Sequence, residues 1–256
     1  MIQLLNGENW DKQEILAKMD DDSFYYGHLG QHALSSSSIK LLQSSPKKYH
    51  YITKYGNNET SPALRAGHLF HTAILEPEKY SKIKFIEVQS RNTKKFKEAI
   101  EEYGECFTAK ERSENERLID AFFKNEHALQ LITDCQTEVP AIGGIDDIPF
   151  RAKADVLSKT GIVDLKTTTD IKAFPYSAKK YGYDIQVYIY CQLFDIPYDD
   201  FKFIALDKGT LDIAIYDVSE NFYLEGERKT LEAIDTYRTF FIENADLDSY
   251  CLRGTL

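Results

Sequence analysis

Hydrophobic and polar positions divide the chain into helical and extended runs. From Ala33, ALSSSSIKLLQSSPKKYHYITKY opens on a serine cap before a short apolar helix; Pro46 breaks it, and an aromatic, helix-like stretch follows. In SPALRAGHLFHTAILEPEKY, Leu64, His68, His71 and Leu75 fall at helical spacing, and this helix stops before Pro77. KIKFIEV reads as a strand, and Lys94 to Glu126 as one or two charged helices, the second opened by TAKE. Strands follow in TEVPAIGGI, IPFRAKADVL and GIVDLKTT. From Asp170 to Phe194 the spacing is helical, and FKFIAL with LDIAIYDV forms a further strand pair. A last long helix, roughly Ser219 to Glu243, aligns Leu231, Ile234, Tyr237 and Phe241 on one face. The layout predicts a mixed central sheet flanked by helices, α/β or α+β by class. Residues 1–32, running through KMDDDSFYYGHLG, read as a lead-in segment rather than core, and 33–256 as one domain.

At 256 residues the chain suits one large domain with a full core. It holds no apolar run near the ~20 residues that span a bilayer, and its N-terminus lacks the basic and apolar regions of a secretory signal. Cys106, Cys135, Cys191 and Cys251 are far apart, without a CxxC, which fits free thiols in a reducing, cytoplasmic setting. The net charge of −10 is unevenly spread. Residues 40–100 carry twelve Lys/Arg against five Asp/Glu, whereas 199–256 carry thirteen acids against six bases. Local potential steers a polyanion more than total charge does, so the basic segment reads as either a solvated face or a track for phosphates.

The stretch RAKADVLSKTGIVDLKTTTD changes the picture. A turn about Lys159-Thr160 sets Ser158 against Gly161 and Leu157 against Ile162, and the same register places Asp155 directly opposite Asp164. Asp164 and Lys166 share a face, roughly 6.6 Å apart along the strand. Like charges facing each other on paired strands are destabilising, so a bound cation is the natural compensation. Two carboxylates with a lysine beside them suit phosphodiester hydrolysis. Oxygen ligands hold Mg²⁺, which lowers the pKa of a bound water and stabilises developing charge, while the lysine holds or deprotonates that water. Val163 and Leu165 mark the strand as half-buried, which favours a site over a surface ion pair.

Asp155 followed by Asp164-Leu165-Lys166 resembles the PD-(D/E)xK nuclease motif. The resemblance is closest to the phage and prophage exodeoxyribonuclease VIII type, relatives of the lambda-type and RecB-type exonucleases. It extends from about Ala33 to the C-terminus: LSSSSIKLLQSSPKKYHYITKY is similar to the family's Ser-rich and Ser-Pro segment, ALRAGHLFHTAILEP to its Gly-x-x-x-His helix, and YDIQVYIYCQLF to its Gln-x-x-x-Tyr helix. The resemblance implies a restriction-endonuclease-like fold. It implies His71, Asp155, Asp164 and the Leu165 carbonyl as metal ligands, Lys166 as the catalytic lysine, and Gln186 and Tyr190 as residues that brace the site or touch DNA. His68 reads as a helix-surface or core histidine. Glu138 is similar in position to an acid of RecB-type nucleases, and equally fits an edge-strand surface glutamate.

The resemblance further implies a Mg²⁺-dependent exonuclease, with Mn²⁺ able to substitute, that digests linear duplex DNA from the 5′ end and leaves 3′ single strands for recombination. Expected partners are duplex DNA ends and a single-strand-annealing recombinase, with a ring-like homo-oligomer and no membrane. The bacterial cytoplasm, with phage or prophage origin, is the expected setting. Ser45 stands where some relatives carry a cysteine for an iron–sulfur cluster, and four thiolates are needed, so none is expected. Alternatives are an endonuclease or single-strand nuclease of the same fold, or an inactive DNA- or partner-binding module. Tyr49, Tyr51, Tyr55, Phe70 and Phe174 are candidates for stacking on bases, and Lys47, Lys48 and Arg65 for gripping a 5′ phosphate.

Overall fold

A computed structural model describes residues 1–56 and 61–252. The chain opens with a short antiparallel pair, β1 (Ile2–Gln3) and β2 (Asn9–Trp10), then α1 (Lys12–Lys18), a π-helical turn (Ser23–His28) and α2 (Leu29–His32). Helices α3 (Ser36–Ser44), α4 (Pro46–Tyr55), α5 (Pro62–Leu75) and α6 (Pro77–Tyr80) follow. A parallel pair, β3 (Lys84–Ile86) and β4 (Cys106–Thr108), brackets α7 (Lys94–Tyr103) and precedes α8 (Ala109–Phe123) and α9 (Glu126–Ile132). The main sheet uses β5 (Gln136–Ile145), β6 (Ile148–Ser158), β7 (Gly161–Thr168), β8 (Phe201–Asp207) and β9 (Ile213–Asp217). Helices α10 (Phe174–Lys180) and α11 (Tyr183–Phe194) connect β7 to β8, and α12 (Glu220–Tyr237) follows β9.

Helix starts follow the local chemistry of the sequence. Ser35, Ser45 and Ser61 each accept a backbone N–H at the head of α3, α4 and α5, with proline in the first turn of the latter two. In TAKE, Thr108 Oγ1 accepts from Glu111 N at 3.1 Å, while Glu111 Oε2 accepts from Thr108 N at 2.8 Å, a reciprocal cap.

The sheet order is β5-β6-β7-β8-β9, parallel only between β7 and β8. The α10–α11 crossover makes that parallel step possible. One apolar layer, including Ile39 and Leu42 of α3, Ile185 and Ile189 of α11 and Ile234 of α12, packs with Ile162 and Phe203 of the sheet. A second, with Phe70 and Ile74 of α5, Leu118 and Phe122 of α8 and Ala128 of α9, packs with Val163 and Leu165. Alternation along β7 thus feeds both layers, and the expected mixed sheet flanked by helices is what the chain builds.

The first residues are not a lead-in outside the core. Ile15, Met19, Tyr25 and Leu29 are buried against Ile142 of β5. Their apolar positions are thinly spaced among acids, so the segment looks solvated until β5 covers it. The stripe on α5 is also displaced: Leu64 is exposed, and Leu69, Phe70, Ala73 and Ile74 face inward. The expected end of the domain at Leu256 lies outside the described residues.

Two glycines are fixed by close backbone approach. A Cβ on Gly226 of α12 would lie 2.1 Å from the Asp184 carbonyl oxygen, and one on Gly161, at φ +142°, would lie 1.8 Å from that of Asp200. Gly226→Ala and Gly161→Ala are therefore each expected to cost about 1–3 kcal/mol through overpacking. Equilibrium denaturation measures this; an unchanged midpoint in both variants would contradict the packing.

Candidate active site

The hairpin turn closes as its sequence predicts, with Ser158 opposite Gly161, Leu157 opposite Ile162 and Val156 opposite Val163. The next pair by count is Asp155 and Asp164, and there the ladder stops. Asp155 Oδ2 accepts from the Leu165 backbone N–H at 2.8 Å, so a side chain takes the place of a ladder acceptor. The opposite edge of β6 breaks at the same residue: Thr137 pairs with Val156 and Val139 with Ala154, while Glu138 between them has φ 53°. Ala154 packs in the α11 layer and Val156 in the α5 layer, so β6 changes its facing at Asp155. The expected directly opposed aspartate pair is corrected in this respect. The strand turns Asp155 toward α5 and leaves Asp164 toward α11.

Each carboxylate is held by the helix on its side. His71 Nδ1 of α5 lies 3.4 Å from Asp155 Oδ2. Gln186 Nε2 of α11 donates to Asp164 Oδ1 at 2.5 Å, and Tyr190, one turn on, donates its hydroxyl to the Lys153 carbonyl at 3.0 Å. Lys166 forms an ion pair with Asp164 Oδ2, and its Nζ lies 4.8 Å from the centre of the Tyr183 ring. Lys40 of α3 lies 5.4 Å from the same ring centre.

Burial governs the electrostatics. It pushes the Asp164 carboxyl up to about 6 against the pull of Lys166, and raises Asp155 as well. Burial, with the Lys166 charge beside it, holds His71 down at about 4, so the ring is neutral at physiological pH. For Lys166 burial works against the ammonium, but Asp164 and Asp155 outweigh it and raise the pKa. Glu138 is pushed up to about 8 by burial, then by Asp155 and Glu76.

An open cleft of about 960 Å³ lies against these groups, with Asp164 fully buried and outside its lining. His71, Asp155, Lys166, Gln186 and Tyr190 all reach it, and His68 sits on its exposed α5 rim. Of the basic segment 40–100, Lys40 lines the cleft; its other cations, Arg151, Lys153, Lys166 and Lys208, come from strands and the loop beyond β8. Lys47 instead pairs with Asp248 at 2.9 Å, and Arg65 lies 3.8 Å from Glu111. Among the aromatic candidates, Tyr49, Phe70 and Phe174 are buried, Phe174 at the wall of the cleft, and Tyr51 and Tyr55 are exposed and do not line it.

A family model described as "PDDEXK-like domain of unknown function (DUF3799)" matches residues 35–246. The chain belongs to this PDDEXK-like family. Among solved structures, it is similar to a "Putative exonuclease" from Eubacterium rectale, at 17% identity and TM-score 0.67, over 92% of this chain and 95% of that one. A phage-related exonuclease from Haemophilus somnus 129PT aligns at 15% identity and TM-score 0.35, over 83% of this chain and 96% of that one. No curated protein matches the chain.

The PDDEXK-like site suits a hard divalent cation in its donors, although the side chains do not stand as a coordination sphere. Among the described residues, no three His, Cys, Asp or Glu side chains come together as a metal-holding group. The Lys166 ammonium supplies the compensating charge to Asp164, and the Leu165 N–H draws Asp155 Oδ2 away. The donor chemistry fits even so. Asp164 Oδ2 is buried with Lys166 as its partner, His71 is neutral, and two carboxylates are adjacent. The Leu165 backbone hydrogen-bonds His71, which sets that peptide beside the same donors.

Glu138, Lys40 and Lys153 are the residues underweighted by the sequence. Lys153 was readable, because Arg151, Lys153 and Asp155 alternate on IPFRAKADVL. Glu138 was readable by counting across the Ile145–Ile148 turn, which sets it against Asp155. Lys40 had no such signal, since only the packing of α3 brings it in.

The raised Asp164 carboxyl fixes the sign of a pH effect. The folded chain holds that proton to about pH 6, and the unfolded chain releases it near its ordinary value of 3.8. Metal-free stability attributable to Asp164 is therefore present at low pH and lost between these values as pH rises, by on the order of 3 kcal/mol. Asp164→Asn should flatten that slope in pH-dependent denaturation. Mg²⁺ or Mn²⁺ should raise the melting temperature of the wild type, by an amount that shrinks as pH falls through about 6, where the metal must displace the proton. A metal-independent melting temperature above that range would remove the cation from the site.

Proposed function

We propose that the chain is a metal-dependent deoxyribonuclease that hydrolyses phosphodiester bonds of linear duplex DNA, working from the 5′ end. The observation that carries this reading is the convergence on one cleft of Asp155, neutral His71 and Lys166, with fully buried Asp164 paired to that lysine, on a nuclease-like PDDEXK fold. Asp155, Asp164, His71 and the Leu165 carbonyl would hold Mg²⁺, or Mn²⁺ in its place. Bound there, the cation supplies Lewis-acid activation of water and charge neutralisation at the scissile phosphate.

The chain's own groups do the positioning. Gln186 fixes one oxygen of Asp164 and leaves the other toward Lys166. Tyr190 ties the backbone at Lys153, two residues before Asp155, to α11. With Asp164 and Asp155 beside it, Lys166 is protonated at neutral pH. Its N–H groups then orient an attacking water and offset charge on the phosphate oxygens, rather than accept a proton.

The 5′ polarity, the release of mononucleotides, a ring-like assembly around DNA, a role in recombination beside an annealing protein, and phage origin in a bacterial cytoplasm all rest on the resemblance set out above. The printed name of the Eubacterium rectale neighbour supports an exonuclease reading and none of these finer points. No helix among the described residues is long and apolar enough to cross a membrane.

Lys166→Ala is expected to lose on the order of 10²-fold or more in turnover while retaining most DNA affinity, measured as acid-soluble nucleotide release against binding. Wild-type turnover in that variant would refute the role of the lysine. On duplexes labelled at one 5′ or one 3′ end, early loss of the 5′ label with the 3′ label persisting on shortened strands is expected. Nicking of closed circles at a comparable rate would transfer the reading to an endonuclease.

A further inference from the structure

The PDDEXK-like match begins at residue 35, yet the cleft has a wall built from residues before it. In the π-helical turn Ser23–His28, two adjacent tyrosines part: Tyr25 is 5% exposed and Tyr26 is 64% exposed. Both line the cleft that holds Asp155 and Lys166.

The mounting of Tyr26 is rigid. Tyr25 lies between two cations, with Arg151 Cζ 4.5 Å and Lys153 Nζ 4.7 Å from its ring centre. Arg151 is itself buried and donates through Nε to the Leu29 carbonyl at 3.1 Å, closing the turn onto β6. The Tyr26 ring stands edge-to-face on Tyr25, with centroids 4.9 Å apart and planes at 85°. An exposed aromatic side chain is ordinary on a protein surface. One braced through Tyr25 onto the strand of Asp155, at the mouth of a polar cleft, is not accounted for by packing.

Charge decides what such a ring would take. Lys153 is already paired with Asp22 at 3.4 Å and lies over both tyrosine rings. The cation is therefore committed, and beyond its contacts with Lys153 and Tyr25 most of the Tyr26 ring stands exposed at the cleft. From this we propose that Tyr26 is a stacking platform for an unpaired nucleobase of the strand entering the cleft, so that residues 1–32 form part of the substrate site. Bases inside a duplex are stacked on one another, so the platform selects a strand opened near the scissile phosphate. The proposal rests on the nuclease reading for the identity of the polymer.

The test uses short DNA carrying 2-aminopurine near the 5′ end, as a blunt duplex and as a duplex with a frayed end, bound to the full chain bearing Asp164→Asn so that it is not cut. Stacking on Tyr26 should quench the fluorescence, more for the frayed end. Adding Tyr26→Ala should restore the fluorescence and weaken binding on the order of 10-fold to 100-fold. Tyr26→Phe should keep both near the parent values, and Tyr51→Ala, exposed away from the cleft, should change neither. In the otherwise wild-type chain, Tyr26→Ala should raise KM for cleavage. Parent-like quenching and affinity in Tyr26→Ala would overturn the platform while leaving the nuclease reading intact. Tyr26-dependent quenching by a chain that cleaves no DNA with any divalent metal would keep the platform and sink the nuclease reading. A chain that neither binds nor cleaves the DNA would overturn both.

Discussion

Two carboxylates, Asp155 and Asp164, are taken out of water side by side, and much of the molecule is arranged to make that tolerable. Burial alone would drive both toward the neutral acid, and their mutual repulsion adds to the cost. The chain answers with two partners for each acid: the Leu165 N–H and His71 both meet Oδ2 of Asp155, while Gln186 and Lys166 take one oxygen each of Asp164. His71 and Gln186 come from opposite helical layers, so the pair is fully compensated only when the sheet is covered on both faces.

The break in β6 is what allows this division of labour. A regular strand would send Asp155 and Asp164 to the same face and expose both to the same helix. By interrupting its pairing at Glu138 on one edge and Asp164 on the other, β6 turns one acid toward α5 and leaves the other toward α11. An irregularity that would be a defect in a structural strand is here the source of an asymmetric site.

Much of this was legible in the sequence because it was written locally. Turn chemistry at Ser158–Gly161, serine caps before prolines, and TAKE with its reciprocal cap each depend on neighbours within a few residues. The DLK spacing is of the same kind, and it placed Asp164 and Lys166 on one face. The resemblance supplied His71, Gln186 and Tyr190, which no local pattern would have joined to Asp155. What escaped was set by packing. Ile15, Met19 and Leu29 are apolar residues among acids, and only the cover of β5 gives them a core. The basic segment divides in space, since charge along a chain does not say which way the charges point. Lys40 reaches the cleft, whereas Lys47 turns to Asp248.

The grip of α5 and α11 on the two sides of the hairpin also bears on the order in which the molecule comes together. The Ser158–Gly161 turn joins adjacent strands and closes a short loop, so it can form early and at small entropic cost. His71 reaches Asp155 from far upstream, and Gln186 reaches Asp164 only after α11 has folded back across the sheet. Such nonlocal contacts are slow to form. A hairpin closed ahead of those helices holds the two acids with only the Leu165 N–H and Lys166 of its own strand, so water, protons or a captured cation would fill the places that His71 and Gln186 take in the finished protein.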